Sequence, residues 1–480
     1  MIRTTILQLF LAIMLFGLFS CTKDDKYSDK AVTLKFSADT LMFDTVFTTI
    51  GSSTQYVIIR NPEDKAVKLS RIYLAGGSNS NFRINVDGSS GNNHTDVEIG
   101  ANDSIFIFVQ VTVDPNNSNN PMIITDSIIF ENKGKKQDID LVAFGQDAYF
   151  IVPDHISSGL PPYHIVAREN TDTMWTNLKP IVVYGYAVVD SMAKLTIQEG
   201  TKIYFHSNSG LWIYKGGCLK VNGTKDYPVQ FQGDRLEDYY KNIPGQWDRI
   251  WLNEGSIDNE INYAIIKNGF IGLQTEVLET VMGNKLILKN TKIQNMSGAG
   301  ILSRFYKIEA ENCIVSNCQQ YLTALTMGGN YSFKHCTFAN YWTYSIRNSA
   351  SIYLNNYYMN PDYSIVPFDL VQADFINCIL YGNQDDEITI DKNLQGGSMN
   401  YSFDHVLAKT KLNTNNVNWL SPIVNQNPNF KNTSEEDYHL NTNSAAIAKG
   451  KSGIVAVDFD GVVRNSTTPD LGAFEFVQTP

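Results

Sequence analysis

Gln384-Asp385-Asp386-Glu387 sets three carboxylates in a row. Paired carboxylates can divide general acid from general base in glycoside hydrolysis, or can hold calcium. Asp385 and Asp386 are therefore candidate catalytic residues, with a solvated acidic loop as the plainer reading. Asp404-His405 is a second acid–base candidate, acting through His405. Lys267 and Lys289 are of the type that removes a proton when the amine is held neutral, although an exposed lysine on a polar face is the ordinary case. Two aromatic groups, Tyr239, Tyr240, Trp247 and Trp251 in one stretch and Tyr341, Trp342 and Tyr344 in another, have the flat rings and polar edges that stack on sugar faces. Packing of a loop onto the body of the protein would use the same residues. Beyond Cys21, the cysteines are Cys218, Cys313, Cys318, Cys336 and Cys378. An odd number at irregular spacing, without a Cys-x-x-Cys pair, is neither a disulfide framework nor a zinc site. No metal and no other cofactor is implied.

The elements that must position these residues show themselves through repetition. Tyr263-Ala264-Ile265-Ile266-Lys267-Asn268 aligns with Asn290 to Asn295, Asn312 to Asn317 and His335 to Asn340, and Asn377-Cys378-Ile379-Leu380 and His405-Val406-Leu407-Ala408 continue the series. The period is roughly 22 to 28 residues, with one larger gap before Cys378 that reads as an insertion carrying Tyr357, Tyr358 and Pro361. Ala264, Thr291, Cys313, Cys336, Cys378 and Val406 make a column of compact residues, in which cysteine acts as a small hydrophobe. Ile266, Ile293, Val315, Phe338 and Leu380 lie two residues further on, as the pleat requires for one face. Asn268, Asn295, Asn317 and Asn340 close the strands, where asparagine accepts a left-handed backbone. Short strands that turn corners and repeat at this period predict a single-stranded parallel β-helix over residues 193–412. About nine or ten turns would offer a groove roughly 45 Å long at the ~4.8 Å strand spacing. Residues 413–480 are expected to end the helix and close it, and 148–192, with Pro153, Gly159 and Pro161-Pro162, to form a linker and cap. Upstream, residues 31–147 alternate apolar and polar side chains in short runs broken by turn formers, as in Ser104 to Val113 before Asp114-Pro115. That pattern predicts an all-β sandwich of about seven strands.

Composition limits the partners. Lys plus Arg number 38 against 49 for Asp plus Glu, a net charge of −11, which argues against a nucleic-acid footprint because phosphate binding needs a basic face. Residues 1–20 carry an early Arg3 and an apolar run from Ile6 to Phe19, too short for a permanent span. They read as a signal peptide, followed by a tether over 21–30.

Several phrases resemble known families. Leu18-Phe19-Ser20-Cys21 resembles the lipobox of bacterial lipoproteins, which implies acylation of Cys21, and Lys23-Asp24-Asp25 is similar to the signal that sends lipoproteins of the Bacteroidota to the cell surface. The resemblance places the protein on the outer membrane, surface-exposed and held by its lipid anchor. The phrases from Phe43 to Pro62 and from Ile139 to Ala148 resemble immunoglobulin-like domains of bacterial surface proteins, which serve as spacers. Residues 195–206, 217–235, 244–252 and 312–317 look like right-handed parallel β-helix lipoproteins of the same bacteria, related in shape to the pectin-lyase superfamily, and Val457 to Phe476 is similar to the C-terminal element of such proteins. These resemblances bear on architecture rather than activity; the aromatic groups and the long groove are what point to a non-catalytic glycan-binding or adhesive protein with a polysaccharide ligand. The alternative is a β-helix lyase or glycoside hydrolase acting on uronic-acid glycans. Gln384 to Glu387 resembles the paired-aspartate phrase of polygalacturonases, but that family's Asn-Thr-Asp, Gly-His-Gly and Arg-Ile-Lys phrases are missing. Thr40, Thr45, Ser104, Ser127, Thr173 and Ser191 each follow Asp and precede an apolar residue, which resembles the O-glycosylation acceptor of the Bacteroidota.

Overall fold

A computed structural model of the chain describes residues 27–48, 51–114, 122–277 and 285–478. Cys21, Lys23, Asp24 and Asp25, with the signal peptide, lie outside the described residues. The chain divides into two compact units, 1–116 with 120–146 and 147–480 with 117–119.

The first unit is built from period-2 strands. Ser104–Val111 sends Ile105, Ile107, Val109 and Val111 inward and Phe106, Phe108 and Gln110 outward, as pleat geometry dictates. Among the described residues ten strands form two five-stranded sheets, against about seven expected, two of them the two-residue strands Lys35–Phe36 and Ser89–Ser90 that extend one sheet. Both sheets contribute to one hydrophobic core that includes Val57, Ile107 and Val109 from one and Leu69, Ile128 and Leu141 from the other. Pairing is antiparallel except between Thr40–Phe47 and Lys135–Gln146, which run parallel through a bulge at Ala143/Phe144.

In the second unit successive strands visit three sheets in turn. Sheet I has eleven strands from Tyr149–Ile151 to Ile423–Val424, sheet II nine from Tyr163–Ala167 to Ile388–Asp391, and sheet III ten from Asp172–Trp175 to Trp419–Leu420. Every pairing between neighbouring coils is parallel, so the unit is a parallel β-helix. Residues 148–192, expected as linker and cap, already form coils: Tyr149–Ile151 pairs with Ile181–Val183, and Tyr163–Ala167 with Tyr186–Val189. Pro161 and Pro162 stand just before Tyr163–Ala167 and outside its ladder, so their missing N–H groups do not interrupt the stack.

The interior explains the repeated residue types. Ile266, Ile293, Val315, Phe338 and Leu380 are register partners in consecutive coils of sheet I and are fully buried. Ala264, Thr291, Cys313, Cys336, Cys378 and Val406 are also buried, Ala264 at the start of its strand and the others one residue before theirs. Inside sheet III, Phe333, Phe375, Phe403 and Trp419 stack ring on ring at centroid distances of 5.0, 5.3 and 4.2 Å.

Between sheets III and I the chain turns through one left-handed residue per coil: Tyr263, Asn290, Asn312, His335, Asn377 and His405, with φ from 46° to 56°. The backbone N–H of each donates to the coil above, from Tyr263 to the Lys289 carbonyl through to His405 and the Leu420 carbonyl. The side chains add a ladder, with Asn312 Nδ2 donating to Asn290 Oδ1 (3.2 Å) and Asn290 Nδ2 to Asn262 Oδ1 (3.0 Å). At the other end of the sheet I strands, Asn268, Asn295 and Asn317 are left-handed as expected. Asn340 is not; it ends its coil as a strand residue and donates to the Cys318 carbonyl.

Residues 425–478 do not simply terminate the stack. They fold back as a strap along the outer face of sheet I, where Ile314, Ile379 and Leu407 share a core with Phe430, Tyr438, Leu440, Leu471 and Phe474. The closing phrase has physical reasons for its residues. Asp458 accepts from the N–H groups of Asp460, Val462 and Glu475. Arg464 Nη2 donates to Asn312 Oδ1 and to the Gly472 and Ala473 carbonyls. Gly472 has φ +85°, and a Cβ there would stand 2.6 Å from Thr337 Oγ1. His439 stacks on Phe474 and bridges Asp437 and Asp460.

Two outcomes follow. Phe338→Ala removes a ring from a fully buried column and is expected to cost about 3–5 kcal/mol in denaturant unfolding; a cost under about 1 kcal/mol contradicts the column. The hydrogen bond to Asp460 raises the His439 pKa against burial, with Asp437 adding to it. A protonated bridge stabilises the strap below about pH 6.5, and the contribution is lost as pH rises through the raised folded value. Lys431 also faces Asp437, and Lys225 and Lys292 lie near Asp460. The Tm gap between wild type and His439→Gln is therefore expected to be larger at pH 6 than at pH 9, and an equal gap at both contradicts the bridge.

Candidate functional site

Three segments meet beside the outer face of sheet I. The first is the loop 234–246 with its short 3-10 turn at Asp238–Tyr240, the second is the stretch from Tyr341 onward, and the third is the strap's turn at Thr433–Glu435. Each is fixed by its own polar contacts. Gln246 Nε2 donates to the Tyr240 and Ile243 carbonyls, both at 2.7 Å, and Asn268 Nδ2 to the Lys241 carbonyl at 2.9 Å. Arg235 pairs with Glu237 and lies over the Tyr240 ring at 3.9 Å. Asn383 Nδ2 donates to the Trp342 carbonyl, and Tyr344 OH reaches the Asn242 carbonyl at 2.5 Å, tying the first two segments together.

Between them lies a cleft of about 780 Å³, bordered by Lys241, Lys267, Tyr341, Trp342, Tyr344 and Glu436 and floored by the amides of Gln294, Asn295 and Asn317. A second hollow of about 260 Å³ shares Lys241 and Lys267 with it and includes Arg235 and Tyr240. Glu436 enters from the strap on a left-handed backbone, φ +58°, and accepts from Asn317 Nδ2 at 2.8 Å and from Gln294 Nε2. Burial raises its carboxyl above the ordinary value, against the Asn317 hydrogen bond and the charges of Lys267 and Lys292. Burial also lowers the Lys267 amine, helped by Lys241 and opposed by Glu436. The cleft therefore combines ring faces, fixed amides and one acid and one amine whose charges are both weakened by desolvation. Such a surface hydrogen-bonds hydroxyls from the floor and stacks apolar faces on the walls.

The structure divides the aromatic candidates. Tyr240, Tyr341, Trp342 and Tyr344 line the two hollows, and Tyr239 stands exposed with its ring edge-on to Tyr240. Trp247 is a correction: its ring is inside the coil, stacked on Phe205 at 4.6 Å, and its Nε1 donates to the Lys267 carbonyl. Trp251 lies on the outer face of sheet II, stacked on Trp212, with Nε1 donating to Glu276.

The acidic candidates do not converge. Asp385 is exposed and pairs with Lys411 at 3.1 Å, which holds its carboxyl below the ordinary value. Asp386 Oδ1 accepts from Thr410 Oγ1 at 2.8 Å. Glu387 is fully buried and takes both Nη groups of Arg347, at 2.6 and 2.8 Å, and also accepts from Ser351. His405 sits at the left-handed corner with Nδ1 2.7 Å from Asp404, and Asp404 also pairs with Lys451 of the strap. Lys289 pairs with Glu311 on sheet III. Among the described residues no group of three or more His, Cys, Asp or Glu side chains is placed to hold a metal ion. Of the hydroxyls in Asp-Ser/Thr triplets, Thr40 is exposed and Thr45, Ser104, Ser127, Thr173 and Ser191 are half-buried.

Sequence reading missed Glu436, Gln294, Asn317 and Lys241 as parts of one site. No local spacing connects them, because the strap contact spans 119 residues.

No family model and no curated protein matches the sequence. Solved structures do match weakly. A family 123 glycoside hydrolase from Clostridium perfringens is 10% identical over 25% of this chain and 30% of its own, with a TM-score of 0.18. The E. coli chaperone DraB is 10% identical over 25% of this chain and 57% of its own, again at 0.18, so this chain spans less than two thirds of either protein. The catalytic unit of a GH87 alpha-1,3-glucanase from Streptomyces thermodiastaticus is 8% identical over 77% of this chain and 88% of its own, at 0.17. At these scores the likenesses carry no argument about what the cleft does.

Proposed function

We propose that the chain is a surface-exposed outer-membrane lipoprotein of a Bacteroidota cell, acylated at Cys21 and exported by Lys23-Asp24-Asp25, whose β-helix binds glycan without chemical conversion. An immunoglobulin-like first unit serves as spacer, and the β-helix is right-handed, as crossover connections between parallel strands almost always are. The single observation that carries the binding role is the cleft itself. Amides fixed by the coil floor and rings fixed by loop-to-loop hydrogen bonds meet over about 780 Å³, within the size range of small-molecule sites. Asp385, Asp386 and Glu387 turn to three separate partners, Lys411, Thr410 and Arg347, rather than facing one bond as the two carboxyls of a glycosidase do, which supports binding over hydrolysis.

One observation favours a second reading, an enzyme acting on uronic-acid glycans. Lys267, with its lowered amine, and Glu436, with its raised carboxyl, face the same cleft, and a desolvated lysine is a competent base.

A glycan array run beside an activity screen on uronic-acid polymers separates the two. Under the binding reading, Tyr344→Ala weakens the array ligand about threefold to tenfold, the worth of one aromatic contact, and no polymer is cleaved. Cleavage that disappears in Lys267→Met gives the second reading, and cleavage lost instead on changing Asp385 or Asp386 overturns both assignments within the cleft. For the anchor, Cys21→Ser is expected to abolish incorporation of labelled fatty acid and to release the protein from the membrane fraction; retention of label in that variant contradicts acylation at Cys21.

A further inference from the structure

The outward face of a sheet in a two-sheet unit is ordinarily polar, because alternation sends apolar side chains to the core. The first unit departs from this on two directly paired strands, Gln55–Arg60 and Ser104–Val111. Tyr56, Phe106 and Phe108 point outward and are 56%, 43% and 41% exposed. Tyr56 stands directly across from Phe108, and Phe106 follows two residues away on the same strand face. The centroids are 5.8 to 6.2 Å apart, and the planes of Phe106 and Phe108 lie within 15° of each other. The Tyr56 plane is tilted 51° and 54° to the other two, so the three rings form one contiguous aromatic patch with two parallel members and one angled wall.

On the far side of Phe108 its register partner is Asn85, and a cleft of about 580 Å³ opens there. Its hydrogen-bonding groups are hydroxyls and amides in fixed positions: Gln110 Nε2 donates to Thr54 Oγ1 and Asn85 Nδ2 to Ser90 Oγ. The one charged side chain, Arg83, is turned back onto the Ser80 and Phe82 carbonyls.

We propose that this face is a saccharide-binding platform for a neutral glycan, separate from the cleft on the β-helix and independent of it. Size decides against a protein partner. An aromatic side chain buries ~150–250 Å², so three rings about half exposed offer on the order of 300 Å², against the ~800 Å² per partner of a stable protein interface. That area suits one or two sugar rings. A pyranose presents an apolar C–H face to an aromatic plane and hydroxyls at its edge, and the platform presents rings bordered by uncharged donors and acceptors. Arg83 is engaged internally and the exposed Arg60 and Lys35 stand at the other end of the strand, beyond Ile58, so the lining of the cleft beside Phe108 carries no other charged side chain.

Affinity electrophoresis of the full chain in native gels containing laminarin, galactomannan or hydroxyethyl cellulose tests the proposal. The wild type is expected to be retarded by at least one of them, and Phe106→Ser/Phe108→Ser to weaken that retardation at least fivefold. Val417→Ser, at a fully exposed position in the other unit outside either hollow, should leave it within twofold. Because both phenylalanines project to water, the double variant should melt within a few degrees of wild type, and Tyr56→Ala provides a second, milder variant. No retardation in any gel, or equal retardation of wild type and both platform variants, overturns the proposal. A wild-type dimer in sedimentation that the double variant loses overturns it in favour of a second copy as occupant. Failure of the β-helix cleft to bind would instead appear as array binding unaffected by Tyr344→Ala, with the platform result unchanged.

Discussion

From Tyr263 to His405 the coils of the second unit turn from sheet III into sheet I through a single left-handed residue whose N–H donates to the next coil. This corner sets the register of everything above it. A left-handed backbone disfavours most side chains, whereas asparagine and histidine occupy it readily. The corner series is accordingly Tyr263, Asn290, Asn312, His335, Asn377 and His405. Once the corner is shared, the next residue in each coil falls at a pinched place and the third falls on the core, so a compact side chain and an apolar one recur in that order. A slip of one residue would turn the whole apolar column outward.

The corner also serves the strap. Asn312 carries the ladder through its amide and at the same time donates to the Val457 carbonyl and accepts from Arg464. Asn377 donates to the Lys451 carbonyl and accepts from the Lys451 N–H. His335, deep between them, is held neutral by burial and by the nearby Arg464, with its pKa brought down to about 3. The same side chains that register the coils therefore dock residues 425–478, and the docked strap delivers Glu436 to the cleft. Geometry at the corner is thus linked to the cleft through the chain and hydrogen bonds of the strap.

The columns were legible because stacking imposes one residue size on each place in every turn, and Cys313, Cys336 and Cys378 stand out in any alignment of the coils. The start of the stack was not, because the coils from Tyr149 to Val189 contain prolines and lack the asparagine punctuation. Trp247 and Trp251 show another limit. Four residues apart on one strand they have the same parity, yet the register shifts between Arg249 and Ile250, so one ring enters the core and the other faces out. The acidic phrase at Asp385 looked like chemistry and is mostly structure, since Arg347, which neutralises Glu387, lies 40 residues upstream. Glu436 in the cleft could not be found by spacing, since its partners are brought to it only by the fold of the strap.

Amide hydrogen exchange resolved at the corner residues tests coil registration most directly. If the stack is as described, the N–H groups of Asn290, Asn312, His335, Asn377 and His405 are all strongly protected, and by comparable factors, because each is bonded to the coil above it. Exchange of these five amides at the rates of exposed loops, or protection of some beside free exchange in their neighbours, would show that the coils are not joined at this corner.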